Sequence, residues 1–549
     1  MIRITELSLP LDHPAEALRQ AIVKRLGMDD ADLLGFTVFK RSYDARKKNS
    51  TITFVYIVDV EVRDEAAMLR RLARDPHVLP APDMSYRPAG QAPANLRERP
   101  LVVGFGPCGL FAALVLAQAG FRPIVLERGR DVRRRTQDTW GLWRKSVLTP
   151  ESNVQFGEGG AGLFSDGKLY SQIKDPRFYG RKVMQEFVRA GAPPEILYVS
   201  KPHIGTFRLT GVVAAMRKEI QALGGEVRFE SRVTDLLLDD GRIEGVVLAD
   251  GETLRSRHVV LALGHSSRDT FRVLHRCGVF IEPKPFAVGF RIEHPQSMID
   301  RARLGKYAGH PALGAADYKL VHHARNGRAV YSFCMCPGGT VVAATSEPDR
   351  VVTNGMSQYS RNERNANAGI VVGIAPERDF PSGPLAGVEL QERLESLAWE
   401  LGGRDYRAPG QLIGDFLRGD ASREFGEVLP SYKPGVTPTD LSSLLPDYAI
   451  EAIREAIPVF GRQIRGFDRE DAVFTGVESR TSSPIRVTRD EATMQSLNVR
   501  GLYPAGEGAG YAGGILSAGV DGIKVAEAVI RSLLDAGGGS AMATGADRA

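Results

Sequence analysis

Three observations predict an α/β protein built around a parallel sheet. The apolar strand at residues 101–103 runs directly into the turn Gly104-Phe105-Gly106-Pro107-Cys108-Gly109 and an alanine-rich helix to about residue 119. A second strand at 123–126 ends in Glu127-Arg128. Near the other end of the chain, Leu502-Tyr503-Pro504 meets a second glycine run, Gly506 to Gly514, which again opens onto a helix.

In the first turn each glycine removes one obstacle to seating a pyrophosphate. Gly104 makes the tight turn, Gly106 lets backbone approach phosphate, and Gly109 lets the helix pack closely on its strand. The helix start, at Pro107 and Cys108, adds unpaired N–H groups and a partial positive charge. The carboxylate of Glu127, about 20 residues downstream, is placed to accept hydrogen bonds from both hydroxyls of an adenosine ribose, which disfavours a 2′-phosphate, and Arg128 next to it is a further cofactor-binding candidate. An ordinary structural turn is the competing reading, and the complete strand, turn, helix, strand and acid order outweighs it.

The chain has 549 residues, 25% charged and 43% hydrophobic, with a net charge of +5. That length predicts two or more domains, and the near balance of charge gives no reason to expect nucleic-acid or membrane affinity. The first residues carry charges where a signal sequence would need an apolar run, and no later stretch is apolar enough to span a bilayer. With only Cys108, Cys277, Cys334 and Cys336, a reducing cytoplasm is the expected setting.

Residues 1–90 read as a separate unit: strand 2–9, helix 14–26, strand 51–62 and helix 65–74, with a further strand expected on either side. This order suggests a ferredoxin-like sandwich. Its basic stretch from Lys40 to Lys48 is expected to be a solvated hairpin, with an anion or nucleic-acid site as the rival. Residues 89–99 read as a linker. Beyond the turn, Asn153 to Lys168 is glycine-dense, as backbone pressed against something flat or charged would be. Ser165 and Lys168 are its candidate polar contacts; a flexible surface loop is the alternative. Helix 209–223 and strand 226–229 follow, then three short runs with Asp-Gly turns forming a β-meander. The strand at 258–263 ends at Gly264, expected over the adenosine half of the ligand.

Residues 283–467 break this pattern and are expected to specify the substrate. His294 reads more readily as a structural histidine than as an acid or base, and Cys334 and Cys336 as small apolar residues sharing one strand face. Arg480, with Arg486, is placed either to clamp a carboxylate or phosphate or to brace a domain junction. Nothing in the sequence resembles a metal cluster. In FAD enzymes of the glutathione-reductase type the closing strand ends in Gly-Asp, whose carboxylate holds the ribityl chain, and the next helix aims its start at the flavin. Here Gly506-Glu507 stands there, one methylene longer, and Gly514-Ile515 opens the helix. Noncovalent FAD is therefore expected, with a helix dipole favouring negative charge on the reduced ring.

Lys284-Pro285-Phe286 to Glu293-His294-Pro295, Phe333-Cys334-Met335-Cys336-Pro337-Gly338-Gly339, Thr353-Asn354-Gly355-Met356, Glu478-Ser479-Arg480-Thr481-Ser482-Ser483-Pro484 and Gly506 to Ile515 resemble the bacterial FAD-dependent dehydrogenases often described as NAD(FAD)-utilising. The resemblance runs nearly end to end. It implies an FAD/NAD(P)-binding Rossmann-like domain of three layers with a β-meander, a family-specific α+β substrate domain, and the small N-terminal α/β domain. It implies no reaction and no catalytic residues.

The expected division is 1–90, 97–280 with 468–535 for the FAD-binding domain, 281–467 for the substrate domain, and a disordered tail at 536–549. The expected function is hydride transfer between flavin N5 and a small, anionic organic molecule; because no second nucleotide motif is present, either NAD(P)H docks transiently or the substrate itself is the hydride donor. Lys168, His294, Glu478 and Arg480 are the acid, base or clamp candidates. An RNA-associated flavoprotein of tRNA modification and a non-turnover redox sensor are the alternatives; the sequence leaves the oligomeric state open.

Overall fold

A computed structural model describes residues 1–45 and 51–542, with side chains as far as Asp535. The basic stretch Lys40 to Lys48 therefore lies partly outside the described residues, as do residues 543–549.

Alternation of apolar and polar residues builds the N-terminal unit. Ile2–Pro10, Leu33–Asp44, Thr53–Val62 and Val78–Pro80 form an antiparallel sheet in the order second, third, first, fourth. Ile2, Ile4, Val58 and Val60 have no solvent exposure, and the helix Glu16–Leu26 buries Leu18, Ile22 and Leu26. This unit is tied to the rest of the chain where Arg41 N–H donates to the Tyr198 carbonyl at 2.6 Å.

The central layer is a five-stranded parallel sheet in the order Leu502–Pro504, Val259–Leu261, Leu101–Val103, Ile124–Leu126, Glu226–Arg228. Its strands are short, and all but the edge strand Glu226–Arg228 are apolar and largely buried because both faces are covered. On one face lie the helices Pro107–Gln118, Thr206–Ala222 and Ile515–Met542. The first buries every residue from Cys108 to Ala117, and the last crosses it where Gly522 leaves no room for a Cβ, which would lie 2.2 Å from the Cys108 carbonyl. On the other face lies an antiparallel meander of Val233–Asp239, Arg242–Leu248 and Thr253–Arg255.

The third layer is a large sheet whose path runs Val321–His323, Ala329–Ala343, Asn365–Ile374, Phe286–Pro295, Val473–Glu478, Ala408–Leu412, Val436–Pro438, with Thr353–Ser357 paired to Ala329–Ala343. Here the structure corrects the sequence reading. Residues from 468 on were expected to rejoin the nucleotide-binding sheet, yet Val473–Glu478 lies between Phe286–Pro295 and Ala408–Leu412. All six of its residues are buried, so only a two-sided position accommodates it. The chain returns to the parallel sheet only at Leu502. The C-terminal helix also runs on to Met542, taking in residues 536–542 that the sequence reading placed in the tail; a helix already nucleated along a packed face propagates at little cost. Among the described residues no helix is long and apolar enough to cross a membrane.

Gly109 and Gly264 separate two uses of glycine. A Cβ on Gly109 would sit 1.9 Å from the Gly104 carbonyl oxygen, whereas one on Gly264 meets nothing within 4 Å. Gly109→Ala is expected to destabilise the fold by about 1–3 kcal/mol through overpacking, read as a lower urea midpoint, while Gly264→Ala leaves the midpoint of the flavin-free protein unchanged.

Candidate functional site

The carboxyl ends of the parallel strands open into a cleft of about 1170 Å³ that reaches from the glycine turn to the large sheet and to Lys40 of the N-terminal unit. Ligands of open parallel sheets gather at this end because the loops diverge there and helix starts point into the gap.

The turn forms the floor. Gly104 has φ +97°, and a Cβ there would lie 2.5 Å from the Ala262 carbonyl. Gly106, Pro107 and Cys108 line the cleft with the first turn of the helix, whose leading N–H groups have no carbonyl four residues back. Gly160, at φ +61°, backs onto Gly106 so closely that a Cβ would lie 2.7 Å from the Gly106 Cα. The glycine-dense segment is thus pressed against the turn, and its backbone forms part of the cleft wall. Gly109 does not line the cleft; its part is the close helix contact.

Glu127 is buried at the floor. Its carboxylate accepts the Phe105 N–H at 2.8 Å on one oxygen, and the Gly129 and Gly157 N–H groups at 2.8 and 2.9 Å on the other. A carboxylate has about four acceptor positions, so the edge left for a ribose is narrow. Arg128 lines the cleft with its guanidinium already held by Glu151 and Asp269, both at 2.8 Å, above the Phe156 ring. Ser165 also lines it, but its hydroxyl donates to the Gly162 carbonyl at 2.7 Å and accepts from the Gly167 N–H.

Opposite the turn, Gly264 is open to the cleft, and Glu507, Gly514 and Ile515 line it at the start of the C-terminal helix. Gly506 does not. It takes φ +72°, packs on Cys108, and donates its N–H to Asp521 at 2.8 Å. Burial pushes the Glu507 carboxyl up to about 7, with Lys284 opposing and Cys334 adding to the shift.

The four candidates for chemistry separate. Lys168 lines the cleft and its ammonium donates to the Met335 carbonyl. Burial lowers its pKa, but Cys334, Cys336 and Asp166 outweigh that and raise it to about 12, so it is a fixed cation. Arg480 reaches the cleft wall, yet it is spent as a brace: it grips Glu395 at 2.9 and 2.7 Å and donates to Ser266 and Ser346. Arg268 holds the same carboxylate at 2.5 Å.

His294 and Glu478 do not line the cleft, which corrects their candidacy. His294 has no exposure, its Nε2 lies 2.7 Å from the Phe467 carbonyl, and burial lowers it to about 4. Glu478 is locked to Arg291 at 2.6 and 3.1 Å, with Thr353 donating at 3.3 Å. Arg291, which has no exposure, is consumed by that pair.

The cleft also uses residues that no motif marked: Gln155, Ser231, Arg232, Ser267 and Thr270. Ser231 and Ser267 each follow shortly after a parallel strand, so extending every strand past its carboxyl end would have found them. Gln155 gives an independent sign of a missing polar partner. Its amide nitrogen donates to the Ala344 carbonyl at 2.9 Å, while its buried Oε1 has no partner among the described residues. An elongated dinucleotide bearing hydroxyl and amide donors fits this wall, the glycine floor and the two helix starts.

Residues 285–481 match the model of a family described as FAD-dependent protein, C-terminal domain-like; residues 199–288 match FAD dependent oxidoreductase, and residues 1–61 match a domain of unknown function. A Clostridium beijerinckii protein described as uncharacterized is 48% identical over 530 residues, which are 96% of this chain and 98% of that one. Solved structures with similar chains include an Aspergillus fumigatus amadoriase (12% identity, 80% of this chain and 89% of that one, TM-score 0.36) and a Geobacillus kaustophilus glycine oxidase (12% identity, 79% and 95%, TM-score 0.35). The glycine floor, the paired helix starts and the family matches together make this chain a member of the FAD-dependent oxidoreductases, an enzyme whose cofactor is FAD.

Proposed function

We propose that the enzyme transfers a hydride between the flavin N5 and a small, anionic organic substrate, with NAD(P)H docking transiently at the same face. The observation that carries this reading is the charge of the cleft mouth. Lys40, Lys168, Lys201, Arg303 and Lys319 line the cleft. Asp317 takes up Lys201 at 2.6 Å and its carbonyl takes Arg303, but Lys40 and Lys319 have no carboxylate partner among the described residues. A cleft walled this way favours entry of negative charge.

In this reading residues 97–280, joined by the chain from Leu502, hold the cofactor noncovalently. Gly104, Gly106, Pro107 and Cys108 seat the pyrophosphate, Glu127 the ribose, and Glu507 the ribityl side. FAD supplies the two-electron acceptor; the chain supplies orientation, water exclusion and charge. Lys168 orients an anionic group and keeps its proton, and the C-terminal helix start stabilises negative charge next to it. The sheet containing Phe286–Pro295 and Val473–Glu478 covers the remaining side and shapes specificity. An RNA-associated role draws on the basic stretch alone, and Lys40, among its described residues, already lines the cleft.

Two outcomes are expected. In an anaerobic stopped-flow experiment with holoprotein, NADH or NADPH bleaches the flavin; if neither does, the transient-docking part of the reading fails and an organic hydride donor is indicated. In the flavin-free protein Glu507 retains its proton up to about pH 7, whereas in the unfolded chain it loses it near 4.5. The folded state thus binds the extra proton between these values, and stability falls as pH rises through that window. Glu507→Gln removes this fall, so its stability advantage over the parent grows by roughly 2–3 kcal/mol from pH 4.5 to pH 7, measured by denaturant titration.

A further inference from the structure

Two cysteines on the wall of the cleft differ from the apolar filler expected of them. Cys334 and Cys336 lie in the strand Ala329–Ala343, where simple alternation would place them side by side on one face. The ladder to Asn365–Ile374 instead slips: Phe333 pairs with Gly369 and Cys336 with Asn367, three steps on one strand against two on the other. This is the signature of a bulge, which re-aims a side chain. Cys334 takes φ +43°, a left-handed conformation that costs a residue with a Cβ of order 1 kcal/mol or more.

The result is an asymmetric pair. Cys334 lines the cleft, while Cys336 has no exposure and lies behind it. The Cys336 thiol donates to the Cys334 carbonyl at 3.3 Å. Room for the inner sulfur comes from Gly355, where a Cβ would lie 2.9 Å from Cys336 Sγ. Two cations face the pair. Arg291 donates to the Cys334 carbonyl at 2.8 Å, and Lys168 donates to the Met335 carbonyl between the two cysteines. The neighbouring Cys336 thiol, with Lys168 and Arg291, holds the Cys334 thiol well below its ordinary range despite burial, and Cys334 together with burial pushes Cys336 up. A low thiol facing the cavity with a protonated partner behind it is the arrangement of an attacking and a resolving sulfur.

We propose that Cys334 and Cys336 form a redox-active dithiol that exchanges an electron pair with the FAD of this cleft. The inference rests on FAD occupying the cleft. In the oxidative direction the Cys334 thiolate and the Cys336 thiol become one disulfide bond. The flavin accepts the electron pair together with the proton that leaves Cys336, so one negative charge stands on each side of the reaction. In the reverse direction the reduced flavin opens the disulfide. Cys334 is the sulfur that meets the cofactor or an incoming thiol, and Cys336 resolves. Lys168 is a positioning residue that stabilises the thiolate.

The test uses the FAD-loaded full chain, with its released flavin measured first by denaturation. Under anaerobic conditions dithiothreitol is mixed with the parent, Cys334→Ser and Cys336→Ser, following flavin absorbance and mapping alkylated peptides. The expected result is a Cys334–Cys336 peptide that resists alkylation in oxidised protein and becomes alkylatable on reduction. Alkylation of Cys334 should persist at a pH where ordinary thiols are inert. Flavin bleaching by dithiothreitol should slow by about tenfold or more in both variants, and Cys336→Ser should show a long-wavelength absorbance from a thiolate next to oxidised flavin that Cys334→Ser lacks. Flavin retained, both cysteines alkylating as ordinary thiols and unchanged bleaching in both variants would overturn the proposal alone. Absence of flavin would overturn the cofactor reading as well.

Discussion

The carboxylate of Glu127 holds together everything that makes the cleft floor. It gathers N–H groups from the phosphate turn at Phe105, from the end of its own strand at Gly129, and from the glycine-dense segment at Gly157. A buried carboxylate without such donors would be costly, and with three of them it becomes a fixed point. Arg135, with no exposure, fastens the same loop from the other side through carbonyls of Asn153, Val154, Gly157 and Glu158. The backbone that faces the dinucleotide is therefore positioned before any ligand arrives, which lowers the ordering cost of binding.

A second buried carboxylate joins the layers. Glu395, on the helix Ala386–Gly402, receives Arg268 from below Gly264 and Arg480 from the end of the large sheet. Burial alone would raise its pKa, yet the two arginines hold it well below the usual range. Ser266, Ser346 and Ser479 complete the network. Losing one partner of such a cluster leaves an uncompensated charge, so these residues tie the large sheet to the strand end that opens on the cleft. His265, which burial and the two arginines lower to about 3, stays neutral next to them.

Local chemistry was legible where a residue has one physical use. Gly104, Gly106 and Gly109 were assigned separate tasks from spacing alone, and at Gly104 and Gly109 a Cβ would meet backbone at 2.5 and 1.9 Å. Gly264 and the helix start at Gly514-Ile515 line the cleft for the same reason: a glycine at the end of a parallel strand leaves space that only tertiary context fills. Residue type alone did not show that the Ser165 hydroxyl serves its own turn or that Glu478 pairs with Arg291 inside the large sheet, whereas His294 takes the structural place that the sequence favoured for it.

The sequence by itself determined the strand–glycine turn–helix unit, the acidic residue at the second strand end and the meander, because each is written within a few tens of residues, and the closing helix, because a glycine run opens it. Only the tertiary structure decided which charges are free to act. Arg480, which the chain left as either clamp or brace, is spent on the buried carboxylate of Glu395, and Arg291 on that of Glu478, whereas Lys168 keeps its charge toward the cleft. It also decided that Val473–Glu478 completes the large sheet and that a one-residue slip turns Cys334 to the cofactor side. Strand pairing and ion pairing join residues far apart in sequence, and burial on both faces, which selects among the pairings, is a property of the assembled layers.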